Sequence, residues 1–137
     1  MKKILLTIGL FSFTFFFSQK NENYLQVGYH SICCGTPSDK PVMNFINQFQ
    51  KKHKIKNFEV YKQSGLGREG EFNIYIGTDS FSKTQKTKFV EGLKVAINAQ
   101  NKAKKINRDG NVSFEETETV RKADLSNARN LTLISNK

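Results

Sequence analysis

Gly28-Tyr29-His30-Ser31-Ile32-Cys33-Cys34-Gly35 is the stretch where side chains able to bind a metal or exchange electrons fall closest together. Cys33 and Cys34 are the chain's whole cysteine complement, and His30 is one of its two histidines. Two thiolates and an imidazole suit Cu(I) or Zn(II). Adjacent residues on an extended chain point to opposite faces, so both thiols reach one metal only where the backbone turns. Gly35 permits such a turn, and His30 shares parity with Cys34. Other chemistries compete for the same residues. Cys33 continues the parity of a buried strand face and fits there as a small core residue. In an oxidising compartment the two thiols can instead close a vicinal disulfide, or Cys34 can bridge to a second chain. Nucleophilic catalysis would need a base and an orienting partner. Only His30 and His53 offer a base, and His53 stands in a lysine-rich stretch, so enzymatic readings are weak.

Further motifs are less specific. Gly65-Leu66-Gly67-Arg68-Glu69-Gly70 resembles a phosphate cradle only in its glycines, because phosphate loops lead from a strand into a helix and this one joins two strands. Its tip offers Arg68 and Glu69 to a partner. Asn107 to Glu116 echoes a calcium loop, but Lys105 falls where the leading carboxylate belongs. Lys83, Lys86 and Lys94 belong to a lysine series suited to an acidic partner, and Tyr61 and Tyr75 have the parity of an outward sheet face. RNA-recognition modules stack bases on such a face; here Glu59 and Glu71 would repel phosphate, and no nucleic-acid partner is expected.

The elements that must position these residues follow from hydrophobic period. Leu25, Val27 and Tyr29 alternate with Gln26, Gly28 and His30, the pattern of a half-buried strand. Val42, Phe45, Ile46 and Phe49 predict a helix over about 39–53. Phe58 and Val60, then Phe72, Ile74 and Ile76, predict a hairpin. Ser82 with Gln85 is a capping box opening a long helix, about 82–105, on the stripe Phe89, Leu93 and Ile97. Val112, Phe114 and Val120 mark a fourth strand, and Leu131-Thr132-Leu133-Ile134 a short additional one. The expected fold is α+β: a ferredoxin-like β-α-β-β-α-β order with a four-stranded antiparallel sheet, two helices on one face and a short extra C-terminal strand. In element order and in cysteines placed after the first strand, the chain resembles the small heavy-metal-associated domains. Their two cysteines are separated by two residues, whereas Cys33 and Cys34 are adjacent.

Composition bounds the setting. Lys2 and Lys3 precede an apolar run of about 14 residues, Ile4 to Phe17, before polar Gln19-Lys20-Asn21. This reads as a signal peptide over residues 1–18, cut between Ser18 and Gln19. The run is shorter than the ~20 residues a membrane helix needs. A single α+β domain over 19–137 is then expected, exported to the periplasm or medium with no membrane span after cleavage. Without Lys2 and Lys3 the chain has 20 basic and 12 acidic residues, a net charge of +8, which favours anionic partners. With two cysteines only, the fold must hold by packing. The expected function is a non-enzymatic binding or accessory module with no obligate cofactor, its partner a protein or an anionic envelope component. The alternative is a soft-metal or thiol-redox site at His30, Cys33 and Cys34.

Overall fold

Alternation along the first strand decides which side of the sheet holds the core. In the computed structural model, which describes residues 21–105 and 109–134, β1 (Asn23–His30) buries Leu25, Val27 and Tyr29 on one face. The expected signal segment lies outside the described residues. Helix α1 (Lys40–His53) begins with Pro41 in its first turn and buries Val42, Ile46 and Phe49. It ends at Lys54, whose left-handed backbone closes the last turn through bonds to Gln50 and Lys51 carbonyls. Strands β2 (Val60–Gln63) and β3 (Phe72–Gly77) pair antiparallel as the expected hairpin. Helix α2 (Lys83–Ala103) opens on the capping box read from sequence: Gln85 N–H donates to Ser82 Oγ at 3.2 Å and Ser82 N–H to Gln85 Oε1 at 2.9 Å.

β4 (Asn111–Arg121) is followed by α3 (Lys122–Ser126) and β5 (Leu131–Leu133). Among the described residues the sheet is five-stranded and antiparallel, in the order β4-β1-β3-β2-β5, with three helices. The expected four-stranded sheet with two helices is therefore corrected. β5 pairs with the outer edge of β2, Tyr61 opposite Leu133, and α3 was not foreseen. A helix of five residues shows too little periodicity to read. Its place follows from connectivity. β4 and β5 lie at opposite edges of the sheet, so the chain between them must cross a face.

The helical face carries the main core, in which Phe49, Phe58, Phe81 and Phe89 pack ring against ring at 5.0–6.1 Å between centroids. On the other face α3 seats Leu125 against Tyr24 and Tyr75, with Tyr61, Val120 and Leu131 around them. This second cluster is where Tyr75, of outward parity, goes together with Tyr24 of β1: Tyr24 is 0% and Tyr75 5% exposed. Among the described residues, no helix covers the rest of that face around Gln26, Gly28, His30 and Ser113. β4 follows β1 irregularly. Leu25 pairs with Thr119 and Val27 with Phe114, so one residue of β1 faces four of β4, Glu115 to Glu118. This bulge of exposed glutamates lies on an edge strand, where charge and irregularity discourage pairing with other chains.

Candidate functional site

β1 stops at His30, and the chain turns at once. Gly35, at φ +103, brings its N–H to Ser31 Oγ at 3.2 Å, closing a tight turn that holds Cys33 and Cys34 at its tip. The two are joined in a vicinal disulfide, and both residues are exposed. The strand's parity therefore does not extend to Cys33, which is not a core residue, because the extended backbone that parity assumes ends three residues earlier. After the turn the segment is tied down again. Lys40 N–H donates to Ser38 Oγ at 3.2 Å, and Gln100 Nε2 reaches from α2 to the Ser38 carbonyl at 2.7 Å.

These ties leave a cleft of about 600 Å³ at the end of the helical layer, lined by Cys34, Pro37, Pro41, Gln100, Lys104 and Gly110 among others. Gln100 Oε1 is enclosed and has no hydrogen-bond partner among the described residues. Asp109 and Lys105 also border the cleft, Lys105 N–H donating to the Asp109 carboxylate at 2.8 Å.

His30 points elsewhere. Its Nε2 lies 2.8 Å from Ser113 Oγ on the face of the sheet that carries α3, both above Gly28. Among the described residues, no three His, Cys, Asp or Glu side chains converge in a group able to hold a metal ion. The calcium-loop echo is dispersed as well. Asn107 lies outside the described residues, Asp109 is turned to Lys105, and Glu116 pairs with Lys94 at 2.5 Å.

Of the expected partner contacts, the structure brings three together. Lys83, Lys86 and Lys94 line one groove of about 440 Å³ along the flank of α2 beside β4, with Thr87, Val90 and Glu116. Arg68 and Glu69 stand exposed at the β2–β3 hairpin tip, where the Glu71 carboxylate folds back to accept from Glu69 N–H at 3.0 Å. Tyr61 is half-buried and Tyr75 buried; the Tyr75 hydroxyl donates to Gln63 Oε1 at 2.7 Å and accepts from Asn73 Nδ2 at 3.1 Å. The His53 ring packs at a tilt against Phe49, with ring centroids 4.2 Å apart.

Two relationships escaped the sequence reading. One is the His30–Ser113 pair, 83 residues apart in sequence and brought together because Gly28 faces Ser113 across β1 and β4; strand parity was its only trace. The other is Asp39, whose carboxylate pairs with Lys62 at 2.8 Å while the same ammonium sits 4.0 Å from the Phe72 ring centroid. Nearby, Tyr29 stacks on Phe72 at 4.2 Å, fully buried, with a hydroxyl that finds no partner among the described residues. Burial, then the Asp39 charge, pushes the Tyr29 phenol well above its ordinary range. Tyr24 is raised in the same direction by burial and by its hydrogen bond to the Glu59 carboxylate.

Compared with known proteins, the chain matches no family model, no curated protein and no solved structure. Among the described residues, no helix is long and apolar enough to cross a membrane.

Proposed function

We propose that this chain is a small exported, non-enzymatic binding module that docks on an anionic partner, an acidic protein or an envelope component, through the outer face of α1 and α2. The observation that carries the reading is charge segregation. The two helices hold eight lysines against one acid, Glu91. The five strands hold only Lys62 and Arg121 against three glutamates. Among the described residues, Lys94 alone of the eight lysines forms an ion pair. A face of unpaired cations attracts polyanions over roughly a Debye length, ~8 Å at physiological salt. The ferredoxin-like assignment belongs to the same proposal; it is supported by the β-α-β-β-α-β order of the first six elements and by both long helices packing on one face.

Retention on immobilised heparin, used as a polyanion probe, tests the reading. Lys83, Lys86 and Lys88 are changed together to Gln in one variant, and Lys56, Arg68 and Arg129 in another that loses the same charge. The helix variant should elute at clearly lower salt than the control. Equal elution would mean that net charge alone is felt, and would sink the docking face.

A second reading keeps Cys33 and Cys34 as a soft-metal site in the reduced chain, favoured by the two sulfurs lying side by side at the surface; His30, held on Ser113, would have to turn to join them. It predicts one Cu(I) or Zn(II) per reduced chain in native mass spectrometry, abolished by Cys33→Ser. Metal retained by that variant would end it.

A further inference from the structure

We propose that the Cys33–Cys34 disulfide is a thiol–disulfide exchange site that takes two electrons from a small or peptide dithiol. The proposal does not rest on the anionic docking face, and each can fail without the other.

Accessibility comes first. A thiolate must reach a sulfur to exchange with it, and among the described residues both cysteines are exposed at a turn that no helix or strand covers. Exchange also has to leave the fold standing. Neither cysteine belongs to either hydrophobic cluster. The turn is held independently by Gly35 N–H on Ser31 Oγ and by Gln100 on the Ser38 carbonyl. Opening the bond removes neither restraint.

The surroundings of the two sulfurs differ, and that sets a direction. Cys34 lines the cleft that Lys104 and Lys105 also line, the Lys104 ammonium resting on Asn111 Oδ1 at 3.4 Å, whereas Cys33 does not. A nearby cation stabilises a thiolate and so makes its sulfur the better leaving group. Among the described residues the cleft has one carboxylate, Asp109, which accepts from the Lys105 backbone N–H and leaves the two lysines one cation in excess. The dithiol therefore attacks Cys33 as its thiolate. The Cys33–Cys34 bond breaks, a mixed disulfide forms on Cys33, and Cys34 leaves into the cleft as a thiolate and is protonated. The second thiol of the dithiol, deprotonated in turn, attacks its own sulfur in the mixed disulfide and releases Cys33, which is also protonated. The dithiol is oxidised to a disulfide and gives up two protons and two electrons. The chain is reduced to two thiols. Because Cys33 and Cys34 are neighbours, the reverse reaction closes the ring without any movement of the fold.

The test uses the full mature chain, exported and oxidised, with dithiothreitol as the probe dithiol. Thiol titration without denaturant should find two thiols per chain and one oxidised dithiothreitol, with an unchanged near-ultraviolet circular dichroism spectrum. Thiols that appear only after denaturant, or together with loss of that spectrum, would overturn the proposal, as would a mature chain exported with both thiols free. The direction has its own readout. Lys104→Gln with Lys105→Gln should slow reduction severalfold at low ionic strength, and the difference should close in about 1 M salt, where screening extends only ~3 Å. Reduction at the unaltered rate would overturn the assignment of Cys34 as the leaving sulfur.

Discussion

Asp39, the residue that precedes α1, gives its carboxylate to Lys62 of β2 at 2.8 Å and makes no side-chain bond to the amides of its own helix. Aspartate at this position ordinarily caps the first turn. Here it links α1 to the sheet, and the Lys62 ammonium it holds lies over Phe72. Both partners are about 30% exposed, so the ion pair is worth ~0–1 kcal/mol, and the cation–π contact adds ~0.5–1 kcal/mol. Lys62→Met should therefore cost about 1 kcal/mol in urea denaturation. Asp39→Asn should cost less than Asp39→Ala, since asparagine can turn back and cap the helix.

Two buried phenols make the protein alkali-sensitive. Tyr24 and Tyr29 both keep their protons well above the ordinary value of 10.0, first because burial disfavours the phenolate. The unfolded chain releases these protons near that ordinary value. Above pH ~10 the unfolded state thus binds fewer protons, and stability falls as pH rises; below it the contribution is complete. Absorbance titration should show both tyrosines ionising only as the chain unfolds.

The same two hydroxyls predict opposite mutational signs. Tyr24 donates to the Glu59 carboxylate at 2.5 Å, while Tyr29 has no partner among the described residues. Tyr24→Phe should destabilise by ~1.5 kcal/mol, the value of a bond to a charged group. Tyr29→Phe removes an unsatisfied buried polar group and should stabilise by ~1 kcal/mol. Tyr29→Phe should also make the loss of stability above pH ~10 shallower. Urea midpoints at neutral and alkaline pH check both.

Leu125 is the one apolar side chain of α3 in the second cluster, 4% exposed over Tyr24 and Tyr75. Leu125→Ala should cost about 2–4 kcal/mol. It should also raise hydrogen exchange in 122–133, since that segment then has little apolar surface left to hold it on the sheet.

A Cβ at Gly110 would stand 1.9 Å from the His30 carbonyl oxygen, whereas one at Gly28 would stand 2.7 Å from His30 Nε2 and from Ser113 Oγ. The first obstacle is backbone and cannot yield; the others are ends of side chains. Gly110→Ala should therefore cost ~2–3 kcal/mol and disturb the pairing of Asn111 with His30. Gly28→Ala should cost ~1 kcal/mol, mostly the lost His30–Ser113 bond. Thermal denaturation compares them directly.

By itself the sequence determined the two long helices, the hairpin, the capping box of Ser82 and Gln85, and the inward faces of β1 and β3, because each is written in short-range periodicity or in residues three or four apart. It also singled out Cys33 and Cys34 in the β1–α1 loop, and a vicinal bridge was among the readings that they allowed. The tertiary structure alone decided the rest. Cys33 left the strand's parity because the backbone turns at Ser31, and a turn has no period to read. Tyr24 and Tyr75 became core residues because the chain must travel from the β4 edge to the β5 edge and lays Leu125 on them as it passes. Lys83, Lys86 and Lys94 share a groove with Glu116, and His30 meets Ser113, through pairings over 22 to 83 residues. Such contacts depend on how strands and helices are stacked, which local pattern does not encode.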